Sequence, residues 1–157
     1  CLVFEHKLLY WSRNGDIDFD GDLEAVWRPR RYTEGNDVTV VALGAMVFEA
    51  LAAAARSERS IEVWNPFVLQ PLDLSSILAS VEKTGRLVVV QEGPETQGLG
   101  DRIVSWLARE GFSSLRCAPR LVSAPDVPVP FAPELESHCR PNAARILACI
   151  EQMLGES

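Results

Sequence analysis

Ser80-Val-Glu-Lys-Thr-Gly85-Arg-Leu-Val-Val-Val-Gln-Glu-Gly93 decides the fold. A charged helix end reaches Gly85, which supplies a tight turn. Leu87 to Val90 then runs without a polar residue, the pattern of a strand buried on both faces. Glu92-Gly93 ends it. A strand of that kind belongs to a parallel sheet with helices packed above and below.

The flanks agree. Val38-Thr-Val-Val-Ala-Leu43 predicts a second buried strand, followed by Gly44 and an Ala-rich helix from Ala45 to Arg56. Ile61-Glu-Val-Trp64 predicts a third strand. Asp73 can cap a helix whose apolar residues Leu74, Ile77, Leu78 and Val81 recur with helical spacing. Leu99, Ile103, Val104 and Leu107 form another helical face, 115–122 holds a strand, and Ala143, Ile146, Leu147, Ile150 and Leu154 mark a last helix. Four alternations of strand and helix predict a three-layer α/β/α domain with a mainly parallel sheet. Upstream, Leu2 to Tyr10 alternates and reads as a short strand. Residues 11–25 read as a linker, and Pro29 limits 26–32 to an edge or irregular strand.

The chain has 157 residues, enough for one domain and an extension. It begins at Cys1, so it is expected to be a piece of a longer chain. Its net charge of −7 disfavours nucleic acid, whose phosphates call for Lys and Arg clusters. No apolar run is long enough to span a membrane. The four cysteines, Cys1, Cys117, Cys139 and Cys149, are spaced for neither a zinc site nor a disulfide framework, which fits a reducing compartment.

No stretch builds a convincing catalytic, cofactor or metal site. Gly44 opens a helix after a strand, but the other glycines of a dinucleotide fingerprint are missing. Gly93, Gly98 and Gly100 form a Gly-rich loop without the lysine of a phosphate loop, so open dihedrals or close packing at a subunit contact are the better reasons for it. Asp16-Ile-Asp18-Phe-Asp20-Gly21 copies the first half of a calcium loop, yet Trp27 stands where the bidentate Glu belongs. A solvated acidic linker without tight calcium binding is expected. His138-Cys139 is expected in an extended segment, where adjacent side chains diverge. His6 reads as a structural histidine. Asp126-Val-Pro-Val-Pro-Phe-Ala-Pro133 is stiff and extended, either a lid on the core or a docking surface.

Five motifs in order give the chain a family resemblance. They are Glu5-His-Lys-Leu-Leu-Tyr10, Glu34-Gly-Asn-Asp-Val-Thr-Val-Val41, Pro71-Leu-Asp73, Ser80 to Gly93, and Ala124 to Phe131 with Leu135-Glu136. Together they resemble the beta subunit of the thiamine-diphosphate-dependent 2-oxoacid dehydrogenases of the pyruvate and branched-chain type. The match covers its C-terminal, transketolase-like domain. The resemblance implies a five-stranded sheet with one antiparallel strand. It implies residues 1–10 as the tail of a pyrimidine-binding domain, 11–32 as a linker and 33–157 as the C-terminal domain. It places thiamine diphosphate and magnesium on other domains of the whole enzyme, with no catalytic, cofactor or metal residue here. The implied partners are an alpha subunit, a second beta subunit and the acyltransferase core component, through its peripheral subunit-binding domain. The implied location is bacterial cytoplasm or the mitochondrial matrix. Asp126, Phe131 and Glu136 are the candidate interface residues.

The chain departs from the family at Trp64-Asn-Pro-Phe-Val-Leu69, where Ile-Asp-Leu-Arg-Thr-Leu is usual. Two alternatives stay open: a free-standing protein-interaction domain, and the C-terminal domain of another enzyme of the transketolase group.

Overall fold

The computed structural model describes residues 2–12 and 27–155. The central sheet has five strands: β1 (Arg30–Arg31), β2 (Val38–Ala42), β3 (Ile61–Asn65), β4 (Leu87–Pro94) and β5 (Arg120–Ala124). Their order is β1-β3-β2-β4-β5. Only β1 runs antiparallel, pairing Arg30 with Asn65 and Arg31 with Trp64. The other three pairings are parallel. The expected three-layer α/β/α architecture with one antiparallel strand is therefore what the chain forms.

The helices are α1 (Leu9–Ser12), α2 (Met46–Arg56), α3 (Ser75–Thr84), α4 (Leu99–Glu110), α5 (Pro133–Cys139) and α6 (Ala143–Gly155). The two-residue alternation of the strands sorts side chains between two cores. Val38, Val40, Ile61, Val63, Val88 and Val90 face α2 and α6. Val41, Trp64, Leu87 and Val89 face α3 and α4. Leu87 to Val90 are wholly inaccessible, and each such side chain contributes about 1.5–3 kcal/mol by leaving water.

One charge is buried in this apolar setting. Glu62 lies on the α3 side of β3 with its side chain only 2% exposed. It accepts from Gly35 N–H at 3.2 Å, from Trp64 Nε1 at 2.8 Å and from the Lys83 ammonium. Beside it, Thr39, Ser80 and Thr84 exchange hydrogen bonds of 2.7 and 2.8 Å. Gly35 approaches so closely that a Cβ there would stand 2.3 Å from the Ile61 carbonyl carbon. Only glycine fits against that backbone. Gly85 closes α3 in the left-handed region at φ 73°, the turn expected between α3 and β4.

Three local expectations differ from the structure. Residues 2–8 form no strand; α1 follows them instead, and Leu2, Val3 and Phe4 are exposed. Alternation alone cannot hold a strand that has no neighbour to pair with. The last strand begins at Arg120 rather than near 115, because Phe112–Ser114 is a 3-10 turn and Pro119 carries no N–H for the ladder. His138 and Cys139 end α5 rather than lying extended; Pro133 at its first turn starts that helix well.

Burial raises the affinity of Glu62 for a proton, but hydrogen bonds from Lys83, Ser80, Trp64 and Gly35 outweigh it and bring its pKa from 4.5 down to about 2. A lowered pKa contributes stability that is complete above pH 4.5 and is lost as pH falls toward 2. Urea titrations across this range should show wild type losing its advantage over Glu62→Gln with falling pH. Parallel pH curves for the two proteins would contradict this.

Candidate functional site

The segment after β5 is ordered yet covers nothing. From Pro125 to Cys139 no side chain is buried. Phe131 is 101% exposed, and Val127, Val129 and Leu135 are also open to solvent. Of the two readings of this segment, the lid is excluded, because Phe131 does not touch the core. Prolines at 125, 128, 130 and 133 limit the freedom that binding would remove.

Three contacts fix the segment. Asp126 Oδ1 accepts from Thr96 N–H at 3.0 Å, and its other oxygen accepts from the Thr96 hydroxyl. These bonds, the hydroxyl's first, hold the Asp126 carboxyl below the usual carboxylate range. Arg145 of α6 donates to Ser123 O at 2.8 Å and to Cys139 O at 3.1 Å, which ties the two ends of the segment together. Arg140 lies 3.0 Å from Glu92 at the end of β4. Glu92 also takes a hydrogen bond of 2.7 Å from His6 Nε2, so the same carboxylate grips the N-terminal segment. Glu136 stands exposed in the first turn of α5 beside Glu134, giving the surface an acidic flank.

The structure thus keeps Asp126, Phe131 and Glu136 on one exposed segment, with unequal roles. Asp126 is spent on Thr96 and positions the segment. Phe131 and Glu136 are free to meet a partner. His6 is the structural histidine that the sequence suggests, whereas its pairing with Glu92 and the roles of Thr96 and Arg145 escaped the sequence reading. Their partners lie up to 86 residues away, and no local spacing signals such pairs.

The other candidates resolve into structure. Gln91 Oε1 accepts from Gly100 N–H at 2.7 Å, and its amide donates to Pro94 O at 2.6 Å. A Cβ at Gly98 would stand 2.1 Å from that same amide nitrogen. The Gly-rich loop therefore makes room for the chain's own Gln91, so the close packing lies within the domain rather than at the subunit contact that the sequence suggested. Gly44 turns at φ 56°. Among the described residues no three His, Cys, Asp or Glu side chains gather as metal ligands, and no helix is long and apolar enough to cross a membrane. The calcium-like stretch 16–21 lies outside the described residues.

What fold and surface define together is a doubly covered α/β domain with an ordered outward-facing segment. Residues 29–146 match the family model described as transketolase, C-terminal domain, and the chain belongs to that family. It is 37% identical to the acetoin:2,6-dichlorophenolindophenol oxidoreductase subunit beta of Bacillus subtilis, over 99% of this chain and 46% of that protein. It is 36% identical to the pyruvate dehydrogenase E1 component subunit beta of Staphylococcus epidermidis, over 93% of this chain and 46% of that protein. A solved split gene transketolase, an inactive beta4 tetramer, superposes with a TM-score of 0.68 at 30% identity, covering 83% of this chain and 43% of that one. The chain thus spans less than half the length of these relatives.

If Asp126 acts only by positioning, Asp126→Ala should leave the melting temperature unchanged while amide exchange at 96 and 126–132 speeds up. Unchanged exchange there would show that the prolines alone hold the segment.

Proposed function

We propose that this chain is the C-terminal assembly and docking domain of the beta subunit of a thiamine-diphosphate-dependent 2-oxoacid dehydrogenase, with no catalytic residue of its own. One observation carries the reading: an ordered segment, 125–139, presents Phe131 outward and leaves all its side chains accessible. The beta-subunit names of the relatives support it.

The described residues do not fit the cofactor. The Gly-rich loop is filled by Gln91, and no cluster of metal ligands stands ready among them. Thiamine diphosphate and magnesium are assigned to other parts of the whole enzyme, which would oxidatively decarboxylate a 2-oxoacid and pass the acyl group to lipoamide. The chain's own work is contact: with an alpha subunit, with a second beta subunit, and with a basic binding domain of the acyltransferase core. The acidic flank at Glu134 and Glu136 favours a basic partner, and salt should weaken that association. Residues 1–10 are read as the tail of a pyrimidine-binding domain and 11–32 as a linker; the exposed Leu2, Val3 and Phe4 suit a surface continued by that domain. The cytoplasm of a bacterium, or the mitochondrial matrix, is the matching location.

A second reading, another transketolase-group enzyme, draws support from the similar split gene transketolase. The acetoin-type relative likewise widens the substrate beyond pyruvate.

The test is capture of the core component by the whole beta subunit with its alpha partner. Phe131→Ala should weaken capture by at least about tenfold, as loss of an aromatic anchor does, with subunit assembly intact. Undiminished capture would remove Phe131 from the interface. No capture by wild type at any salt would overturn the docking role.

A further inference from the structure

The loop after β3, where the sequence leaves the family pattern, builds a surface of its own. Asn65 Oδ1 accepts the Phe67 N–H at 3.0 Å, and the Val68 N–H donates to Pro66 O at 2.7 Å. These bonds hold Phe67 at φ 62°, a left-handed conformation that a bulky residue rarely adopts. Phe67 is 48% exposed. Arg30 of β1 lays its guanidinium over the Phe67 ring, 4.7 Å from the centroid. Pro29 and Pro66 are buried and stiffen the platform. Trp27, Tyr32 and Leu69, close in sequence to Arg30 or Phe67, are exposed as well.

The charge here runs against the rest of the molecule. The chain carries −7, yet Arg28, Arg30 and Arg31 fall within four positions. Arg31 is neutralised by Glu34 at 2.5 Å. Asp73, which shares an open depression of 430 Å³ with Trp27 and Arg28, turns its carboxylate to Ser75. Arg28 and Arg30 have no carboxylate partner among the described residues. β1 and β5 are the two edges of the sheet, roughly 19 Å apart at about 4.8 Å per strand, and the segment carrying Phe131 leaves from the far one.

We propose that Arg28, Arg30, Phe67 and Trp27 form a second docking surface, whose occupant is an acidic extended segment of a partner chain with carboxylates alternating with apolar side chains. Guanidinium groups take carboxylates in paired hydrogen bonds, and the exposed rings take the apolar side chains between them. The two edges of the sheet then select partners of opposite charge: a basic one beside Phe131 and an acidic one beside Phe67. This surface stands independently of the docking role proposed for the Phe131 segment, and its test leaves that segment untouched.

The test uses the whole protein and a fluorescein-labelled peptide alternating Asp or Glu with Leu or Phe, followed by anisotropy. A second peptide with Ser in place of the apolar residues and a single-stranded oligonucleotide serve as controls. Binding should saturate, weaken as salt rises, and fall by at least about tenfold in Arg30→Glu and in Phe67→Ser. Circular dichroism verifies that Phe67→Ser, at an exposed position, keeps the fold. Arg59→Glu, at the opposite end of β3, should bind like wild type. Failure to saturate, or equal binding of the Ser peptide or the oligonucleotide, would overturn the proposal. So would self-association that Arg30→Glu abolishes, since a second copy would then be the occupant.

Discussion

Much of this domain rests on the satisfaction of one buried carboxylate. Glu62 is almost wholly removed from water, where an unpaired charge costs several kcal/mol, of order 3–5 when a partner is taken away. Its donors come from separate parts of the chain: Gly35 from the approach to β2, Trp64 from β3 itself, Lys83 from the end of α3. Satisfying Glu62 therefore locks three elements at once. Thr33 adds to the lock, bonding Ile61 O at 2.9 Å and Val63 N–H at 3.0 Å. The short β1 pairs with β3 in this neighbourhood, and β1 carries Arg30 of the second surface.

The same satisfaction recurs where a doubly wound sheet usually takes a ligand. Ligands of such folds sit beyond the carboxyl ends of the strands. Here Gln91 fills the Gly98–Gly100 loop, and Glu92 is occupied by His6 and Arg140. The polar groups at the end of β4 are turned on their own chain. Exposed apolar area collects instead at the flanks, around Phe131 and around Phe67. That distribution suits a domain that works by contact.

Legibility followed the range of the forces involved. β4 was readable because Leu87 to Val90 is apolar without a break, and α3 because Leu74, Ile77 and Val81 repeat with the helix. The exposure of Phe131 was readable as one of two options, since prolines exclude a helix or a central strand. Leu2 to Tyr10 misled because its alternation has no strand beside it, a fact of the tertiary structure. His138-Cys139 misled because nothing local marks it as helical, while Pro133 at the first turn starts a helix that reaches it. Asp126 with Thr96 and Glu92 with His6 were invisible, being 30 and 86 residues apart. The family resemblance supplied the antiparallel strand; two residues of β1 are too few to show a period.

Hydrogen exchange on the whole protein, with and without the acyltransferase core component proposed to bind it, is the most direct test of a domain that acts through its surface. Protection is expected at 126–136 on adding the core component, and no change at 91–100 on adding thiamine diphosphate with magnesium. Protection of 91–100 by the cofactor, with 126–136 exchanging as before, would contradict it.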